Sequence, residues 1–292
     1  MKLEKFLAKS IRPWGLKLLL LLNFAFIEQA FAWTEMRDFN NGILGQKAQG
    51  ADGFSSDAGD SIYANSQVSE GANSAKLSID QGATAYGRWG GVIGFPELVK
   101  GNEIWVSLDI YVPSDFDTST NTGVLKFLRL RQKNGDGSHT GYLDMLIDNV
   151  QGAFRILKEG PNVPHLSFGT RPDDSLKRDR WVNVEMYAYL DEVSVADGGK
   201  AFVRYYIDGK RYDFTTIRTI DNSEVSVYGL YLFTYWNGGA PKNQSLYVDN
   251  IIITSDRPAV IDTLGDPVIG NWLNTKAPRP PSSFQVSLPD LP

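Results

Sequence analysis

The chain has 292 residues with no cysteine, two histidines and a formal net charge of −5. Without cysteine it has no disulfides, thiolate metal sites or cysteine nucleophiles. Its acidic balance argues against nucleic acid and anionic membranes as partners, because their phosphates require a basic face.

Residues 1–32 have the layout of a secretory signal peptide. Five basic residues precede or enter a short apolar run at 18–27, and Ala30-Phe31-Ala32 matches a small-x-small cleavage site. The apolar run is too short to span a bilayer. We therefore expect cleavage after Ala32, a mature net charge near −8 and a secreted or periplasmic protein that leaves the membrane.

Nine segments have the composition and alternation of β-strands, and no convincing amphipathic helix occurs among them. These segments are Ala75–Ile79, Glu103–Val112, Gly123–Arg131, Tyr142–Asp148, Ala153–Lys158, Trp181–Leu190, Ala201–Ile207, Ser226–Tyr235 and Ser245–Thr254. Many short strands joined by glycine-rich turns predict an all-β sandwich or jelly roll of two antiparallel sheets. We expect one domain over 33–257, then an extension over 258–292 with a proline-rich tail, in a monomer.

The clearest alternation lies in Trp181–Leu190. One side of this strand is apolar, and the other presents Asn183, Glu185, Tyr187 and Tyr189. Aromatic rings stack on sugar rings and short polar groups bind hydroxyls, so this side predicts a carbohydrate contact. The alternative is that aromatic residues simply favour strands.

Two arginines, Arg129 and Arg131, share one side of the strand at 123–131. Like charges two residues apart repel, so this pair indicates either an anionic ligand or ion pairs with sheet acids such as Asp144 and Glu185. By alternation, Lys126 lies on the same side as Leu128 and Leu130, which faces the core. Because a lysine is rarely buried there, it either ends the buried stretch or lies at a bulge.

Other strands also present arginine, tyrosine and carboxylate on their polar sides. They add Tyr142, Asp144, Arg204 and Tyr206 to the candidate residues. If these strands share one sheet, their side chains form the floor of a groove; if they belong to both sheets, they are ordinary surface.

Several motifs together resemble a known group of enzymes. They are Lys126-Phe-Leu-Arg-Leu, Trp181…Glu185, Tyr205-Tyr-Ile-Asp-Gly209, Phe233-Thr-Tyr-Trp-Asn-Gly-Gly239 and Tyr247-Val-Asp-Asn-Ile-Ile-Ile253. Over residues 123–254 the chain is similar to the concanavalin A-like jelly rolls of exported polysaccharide lyases, of the alginate and glucuronan lyase type. The resemblance implies a catalytic lysine at Lys126 and brings Trp236 into the candidate site. The family's Ser-x-Arg and Tyr-x-Tyr motifs are not reproduced on the strands that follow Lys126. Tyr187-Ala-Tyr189 matches the Tyr-x-Tyr motif but lies on a later strand.

Such a lyase removes the C5 proton of a uronate and expels the sugar linked at O4, so we expect an acidic polysaccharide as partner. A cation offsets the substrate carboxylate, a base takes the proton and a tyrosine protonates the leaving oxygen. Tyr142, Tyr187, His139 and Lys126 are the candidate catalytic residues, and Arg129, Arg131 and Arg204 the candidate cations. We expect His165 to be structural.

Two alternatives to a lyase stay open from the sequence. A non-catalytic carbohydrate-binding or adhesion module needs the same aromatic and arginine residues but no proton-transfer pair. A jelly-roll glycoside hydrolase needs two acids on one face; its usual Glu-x-Asp-x-x-Glu strand is missing, and an Asp144/Glu185 pair across strands would have to replace it. We expect no required cofactor or catalytic metal, while a structural Ca²⁺ held by Asp249, Asp38 or backbone carbonyls is compatible with the fold.

Overall fold

The structure, a computed structural model, describes residues 32–84, 89–149, 152–160, 167–169 and 176–270. The predicted signal peptide therefore lies almost wholly outside the described residues, as do His165 and the proline-rich tail. In the described part of the chain, no helix is long and apolar enough to cross a membrane.

Fourteen β-strands follow one another in the described residues. They are β1 Thr34–Arg37, β2 Ile62–Ala64, β3 Ser74–Ile79, β4 Gly91–Leu98, β5 Glu103–Tyr111, β6 Val124–Lys133, β7 His139–Asp148, β8 Phe154–Glu159, β9 Ser167–Gly169, β10 Trp181–Tyr189, β11 Phe202–Ile207, β12 Lys210–Phe214, β13 Ser226–Leu232 and β14 Gln244–Thr254. A single 3-10 turn at Val195–Asp197 is the helical element that the structure describes.

The strands form two antiparallel sheets, as the alternation predicts. The eight-stranded sheet has the order β12-β11-β10-β5-β14-β3-β2, with β1 also paired to β14. The six-stranded sheet has the order β4-β13-β6-β7-β8-β9. All nine predicted strands are present, with boundaries that differ by a few residues at most.

The core lies between the sheets and is rich in aromatic side chains. Trp89, Phe116, Phe233 and Trp236 pack together with ring centroids about 5 to 6.4 Å apart. The apolar side of β10 supplies Val182, Val184, Met186 and Ala188 to the same core. Each sheet therefore has one face buried in the sandwich and one face turned outward.

Trp236 is thus a core residue rather than a sugar contact, which corrects the prediction from the sequence. Its side chain is fully buried, and its indole nitrogen donates to the carbonyl of Ser119 at 3.0 Å. A polymer on either outer face has no access to this ring.

We expect Trp236→Ala to destabilise the fold by about 3 to 5 kcal/mol, because it leaves a large cavity among packed rings. Urea unfolding followed by fluorescence measures the loss. Trp181→Ala, which removes a half-exposed tryptophan from the outward face of β10, serves as the control with an expected cost of about 1 kcal/mol. Equal losses in the two variants would contradict the core position of Trp236.

Candidate functional site

The predicted site residues divide between the outward faces of two different sheets. Lys126, Arg129, Arg131, His139 and Tyr142 lie on the six-stranded sheet. The remainder lie on β10 and β11 of the eight-stranded sheet: Asn183, Glu185, Tyr187, Tyr189, Arg204 and Tyr206. The single groove that the sequence left open as one possibility does not form.

Residues 256–270, which we call the C-terminal strap, lie against part of the outward face of the eight-stranded sheet, at Trp105, Glu185, Arg204 and Tyr206. Glu185 is buried and accepts hydrogen bonds from the backbone N–H groups of Ile269 and Gly270 at 2.7 and 3.0 Å. Burial raises the pKa of Glu185 to about 7. Ile269 also packs against Trp105. Glu185 therefore anchors the strap instead of contacting a sugar.

Two further predicted residues bind acids of the same strap. Arg204, 5% exposed, pairs with Asp213 of β12 and with Asp266 of the strap at 3.0 and 2.9 Å. The hydroxyl of Tyr206 donates to Asp262 at 2.8 Å. Because both are already engaged inside the protein, the predicted substrate contacts of Arg204 and Tyr206 are corrected to strap contacts.

Tyr187 and Asn183 are likewise held by neighbours on this sheet. The hydroxyl of Tyr187 donates to Glu103 at 2.6 Å, and burial together with this carboxylate raises the pKa of Tyr187 far above its usual value. A phenol whose ionisation is suppressed in this way is a poor base. Asn183 donates to Ser107 and Asp109. Tyr189 lies at the end of the strand, half-buried and away from the six-stranded sheet.

The Asp144/Glu185 pair considered for a hydrolase does not form. Asp144 belongs to β7 of the six-stranded sheet and Glu185 to β10 of the eight-stranded sheet, so the core of the sandwich separates them.

A bulge in β6 decides which side chains reach the outward face of the six-stranded sheet, called here the open face. The pairing of β6 with β7 shifts register between Lys126 and Leu128. Phe127 and Leu128 are both fully buried, and Lys126 shares the open face with Arg129. The bulge therefore explains how Lys126, out of step with the arginines in the two-residue alternation, reaches their face, and why Phe127 lies in the core.

Arg129 is buried and paired with two acids. Its Nε donates to Asp144 at 2.8 Å and its Nη2 to Glu159 at 2.5 Å, while its guanidinium carbon lies 3.5 Å from the centroid of the Tyr142 ring. The side chain is 3% exposed. The ion-pair alternative is thus confirmed for Arg129, because its Nε and Nη2 both bind acids of the sheet.

The two carboxyls beside Arg129 differ in their pKa values. Burial raises the pKa of Asp144 to about 7, against the opposing charge of Arg129. Burial acts in the same direction on Glu159, but Arg129 and a hydrogen bond with Asp144 outweigh it and lower the pKa of Glu159. Glu159 is therefore the carboxylate that carries the negative charge, and Asp144 holds its proton more readily.

Arg131 stands in contrast to Arg129. Its guanidinium carbon lies 4.7 and 4.2 Å from the ring centroids of Tyr228 and Tyr231, and its Nε is buried without a hydrogen-bond partner. Within the described ranges, no carboxylate lies within ion-pair distance of Arg131. A guanidinium beside two rings and without a counter-ion is suited to pairing with a carboxylate.

The contacts of Arg131 with the Tyr228 and Tyr231 rings depend on a second bulge. The pairing of β13 with its neighbours shifts between Val227 and Gly229, which places Gly229 opposite Arg131. The intervening Tyr228 and the later Tyr231 then reach the guanidinium from two sides.

His139 and Tyr142 lie next to Arg131. Tyr142 is directly opposite Arg131 in the β6–β7 register, and the His139 ring centroid lies 4.6 Å from that of Tyr142. Burial, with the charges of Arg131 and Arg129, lowers the pKa of His139. The imidazole is therefore neutral near neutral pH and able to accept a proton.

Lys126 lies towards the other end of the open face. Its ammonium nitrogen is 3.8 Å from Glu159 and 5.0 Å from the ring centroid of Tyr235. Burial and the neighbouring Arg129 lower the pKa of Lys126. It is a second candidate base, separated from Arg131 by the Arg129–Asp144 row of the sheet.

Several residues of the open face were not predicted from the sequence. Glu159, Tyr228, Tyr231 and Tyr235 all contact a predicted cation. The bulge at Tyr228 breaks the alternation of inward and outward side chains along 226–232. The alternation therefore does not show on which face of the sheet the Tyr228 ring lies. Glu159 lies one residue beyond the predicted strand.

The predicted calcium ligands do not form a ligand set in the described residues. Asp249 accepts backbone N–H groups from Ser69, Glu70 and Asn250, and Asp38 accepts that of Asn40. No group of three or more histidine, aspartate or glutamate side chains in this part of the chain is arranged to hold a metal ion. Structural Ca²⁺ stays an untested prediction.

Comparison with solved structures places this architecture among known proteins. An alginate lyase, Aly36B, superposes with a TM-score of 0.54 at 16% identity, over 75% of this chain and 96% of its own. An endo-β-1,4-glucuronan lyase from the fungus Trichoderma reesei gives 0.51 at 13% identity, over 76% and 94%. The chain has the jelly-roll fold of polysaccharide lyases.

A third lyase-type jelly roll, the alginate lyase vAL-1 from Chlorella virus, gives a TM-score of 0.50 at 16% identity, over 65% of this chain and 88% of its own. No protein-family model and no curated protein sequence matches the chain. At sequence identities this low, the superpositions establish a shared fold alone.

We expect Arg129 and Arg131 of this lyase-type jelly roll to differ sharply in their effect on stability. Arg129→Met leaves Asp144 and Glu159 without their buried partner and should cost about 3 to 5 kcal/mol. Arg131→Met breaks no ion pair in the described structure and should cost less than about 1 kcal/mol. Urea unfolding of the two variants measures both, and equal losses would contradict the contrast.

Proposed function

We propose that the chain is an exported polysaccharide lyase that cleaves a uronate-containing polysaccharide by β-elimination on the open face. The observation that carries the proposal is Arg131, a cation held between two tyrosine rings beside the His139–Tyr142 pair. Solved structures with the same fold include proteins named as alginate and glucuronan lyases, which supports this class of reaction. Export is proposed from the sequence of residues 1–32.

The carboxylate of the uronate determines the difficulty of the reaction. Removing the proton at C5 develops a second negative charge beside the carboxylate, and a fixed cation lowers that cost. Arg131 is suited to this task because no acid in the described structure competes for it. Its position between Tyr228 and Tyr231 holds the guanidinium in one orientation before substrate binds, which avoids reorganisation during the reaction.

His139 is the proposed base and Tyr142 the proposed acid. A neutral imidazole nitrogen takes the C5 proton, the electron pair of the broken C–H bond forms the C4–C5 double bond, and the bond from C4 to the glycosidic oxygen breaks. The Tyr142 hydroxyl donates its proton to that departing oxygen. Solvent then returns the proton from His139 to Tyr142 and restores both groups.

Arg129 is proposed to position Tyr142 rather than to bind substrate. Asp144 and Glu159 hold its guanidinium flat against the Tyr142 ring at 3.5 Å, so the ring has little freedom to turn away. Its charge lies close enough to favour negative charge developing on the phenol oxygen during proton transfer.

A non-catalytic carbohydrate-binding module is the second candidate. It is favoured by the exposure of His139, which lies at the β6–β7 hairpin, where a base is poorly shielded from water. Such a module would use Arg131 and the tyrosine rings for binding and would release no unsaturated product.

We expect the chain from Trp33 onward to generate ultraviolet absorbance from unsaturated uronate on at least one polymer of a panel that includes alginate, glucuronan, pectate and gellan. Tyr142→Phe and His139→Gln should each lower kcat by about 10²- to 10⁴-fold, the usual contribution of a proton-transfer group. Arg131→Met should lower kcat/KM by about 10²- to 10³-fold. Tyr187→Phe, on the strap-covered face, is the control with unchanged kinetics.

Either of two results would overturn parts of this assignment. Absence of product with every polymer, together with retained binding in affinity gels, would establish the binding module instead. Loss of activity in Lys126→Met with full activity in His139→Gln would transfer the base role to Lys126.

The pH dependence provides an independent test. Burial and the two arginines hold the pKa of His139 below its ordinary 6.5, so activity should rise with pH with a midpoint below 6.5. In Arg131→Met the midpoint should move upward because one repelling cation is gone. Proton NMR titration is direct here, since the chain has two histidines and His165→Gln assigns the signals. A His139 midpoint above 6.5 would contradict the proposed base.

A further inference from the structure

The open face has nearly equal numbers of positive and negative side chains. Its cations are Lys126, Arg129, Arg131, Lys133 and Arg155, and its carboxyls are Glu97, Asp144, Asp148 and Glu159. For a site that binds an acidic polymer, this is a high content of acid.

Four of these five cations are paired within the protein. Arg129 binds both Asp144 and Glu159, while Lys126 lies 3.8 Å from Glu159. At the two ends of the face, Lys133 pairs with Glu97, and Arg155 with Asp148. Among the described residues of this face, Arg131 alone has no acid partner.

Apolar and aromatic surface separates the charged groups. The partly exposed Leu157 lies beside Asp144 on β8, whereas Leu146, beside Lys126 in the β6–β7 register, is buried. Tyr228 and Tyr235 are half-buried and present ring surface near Arg131 and Lys126 respectively. Aromatic and aliphatic surface of this kind suits the uncharged faces of sugar rings.

A polymer with a carboxylate on every sugar fits this face poorly. Where one carboxylate binds Arg131, its neighbours along the polymer would meet cations that are already neutralised and, beside them, the carboxylates of Glu97 and Glu159. Like charges brought together across an interface oppose binding and thereby select against the wrong partner.

We infer that the substrate is a heteropolysaccharide in which backbone uronates are separated by neutral sugars, and not a homopolymer of uronate. The inference rests on the proposed lyase function and adds its specificity. One uronate per binding event occupies Arg131, and the neighbouring neutral sugars lie on the leucine and tyrosine surface.

The test compares polymers that differ in carboxylate density. Deacylated gellan, whose 4-linked glucuronates are separated by neutral sugars, is compared with glucuronan. Glucuronan in which part of the carboxyl groups has been reduced to alcohols provides a matched series on one backbone. We expect kcat/KM per mole of uronate to rise by about tenfold between intact and partly reduced glucuronan, as relief of a like-charge contact predicts.

A charge variant tests the same inference from the side of the protein. Glu97→Gln removes the partner of Lys133, which lies with Arg131 against the Tyr228 ring. It should raise kcat/KM on intact glucuronan by about two- to fivefold, the size of one exposed charge contact, with little change on gellan. Glu192→Gln removes one of the two acid partners of Lys100, in the loops that follow β4 and β10, and is the control with no effect.

The outcomes separate the two proposals. Highest activity on intact glucuronan, declining steadily with carboxyl reduction, would overturn the heteropolymer inference and leave the lyase in place. Activity on no polymer of the panel, gellan and every glucuronan sample included, would count against the lyase itself. An equal gain in Glu97→Gln and Glu192→Gln would show a general charge effect and would also overturn the inference.

Discussion

The buried ion cluster of Arg129, Asp144 and Glu159 is the interaction on which the open face depends. Desolvating a guanidinium costs several kcal/mol, and two carboxylates at hydrogen-bonding distance offset that cost. Once formed, the cluster holds the ring of Tyr142 against Arg129. It also pairs Asp144 and Glu159, the acids nearest to the centre of the sheet, with Arg129. Arg131, two residues along the same strand, is then left without an acid in the described structure and is held by tyrosine rings. Two arginines that look equivalent in sequence therefore take opposite roles, one structural and one suited to a ligand.

The second constraint is the coverage of the opposite face. The C-terminal strap lies on the eight-stranded sheet through Glu185, Arg204 and Tyr206, so these three polar side chains bind the protein's own chain. Carboxylates and backbone N–H groups of the strap take the places that sugar hydroxyls or uronates would occupy. This explains why Glu185, Arg204 and Tyr206 are satisfied without a ligand, whereas Arg131 on the six-stranded sheet has no acid partner in the described structure.

The fold was predictable because alternation is a local property. Each of the nine predicted strands is present, and the apolar side of Trp181–Tyr189 lies in the core as its two-residue period requires. The strands that escaped prediction are mostly short or contain glycine and proline, such as Gly91–Leu98, where the pattern is weak. The candidate site was predictable in part: Lys126, Arg129, Arg131, His139 and Tyr142 do share one face. The residues around them were missed because the bulges at Phe127–Leu128 and at Tyr228 shift the phase, and a bulge is set by strand pairing rather than by composition.

The amino-acid sequence by itself determined that the described chain is a two-sheet β-sandwich without cysteine chemistry, and which side of most strands is apolar, since burial and strand geometry act over a few residues. The tertiary structure decided which strands share a sheet, and with it the partner of every charged group. Asp144 and Glu185 are both acids on the polar sides of strands, yet one accepts a hydrogen bond from Arg129 and the other binds the strap. Charge pairing depends on distances between segments far apart in the chain, and those distances exist only after the sheets have assembled.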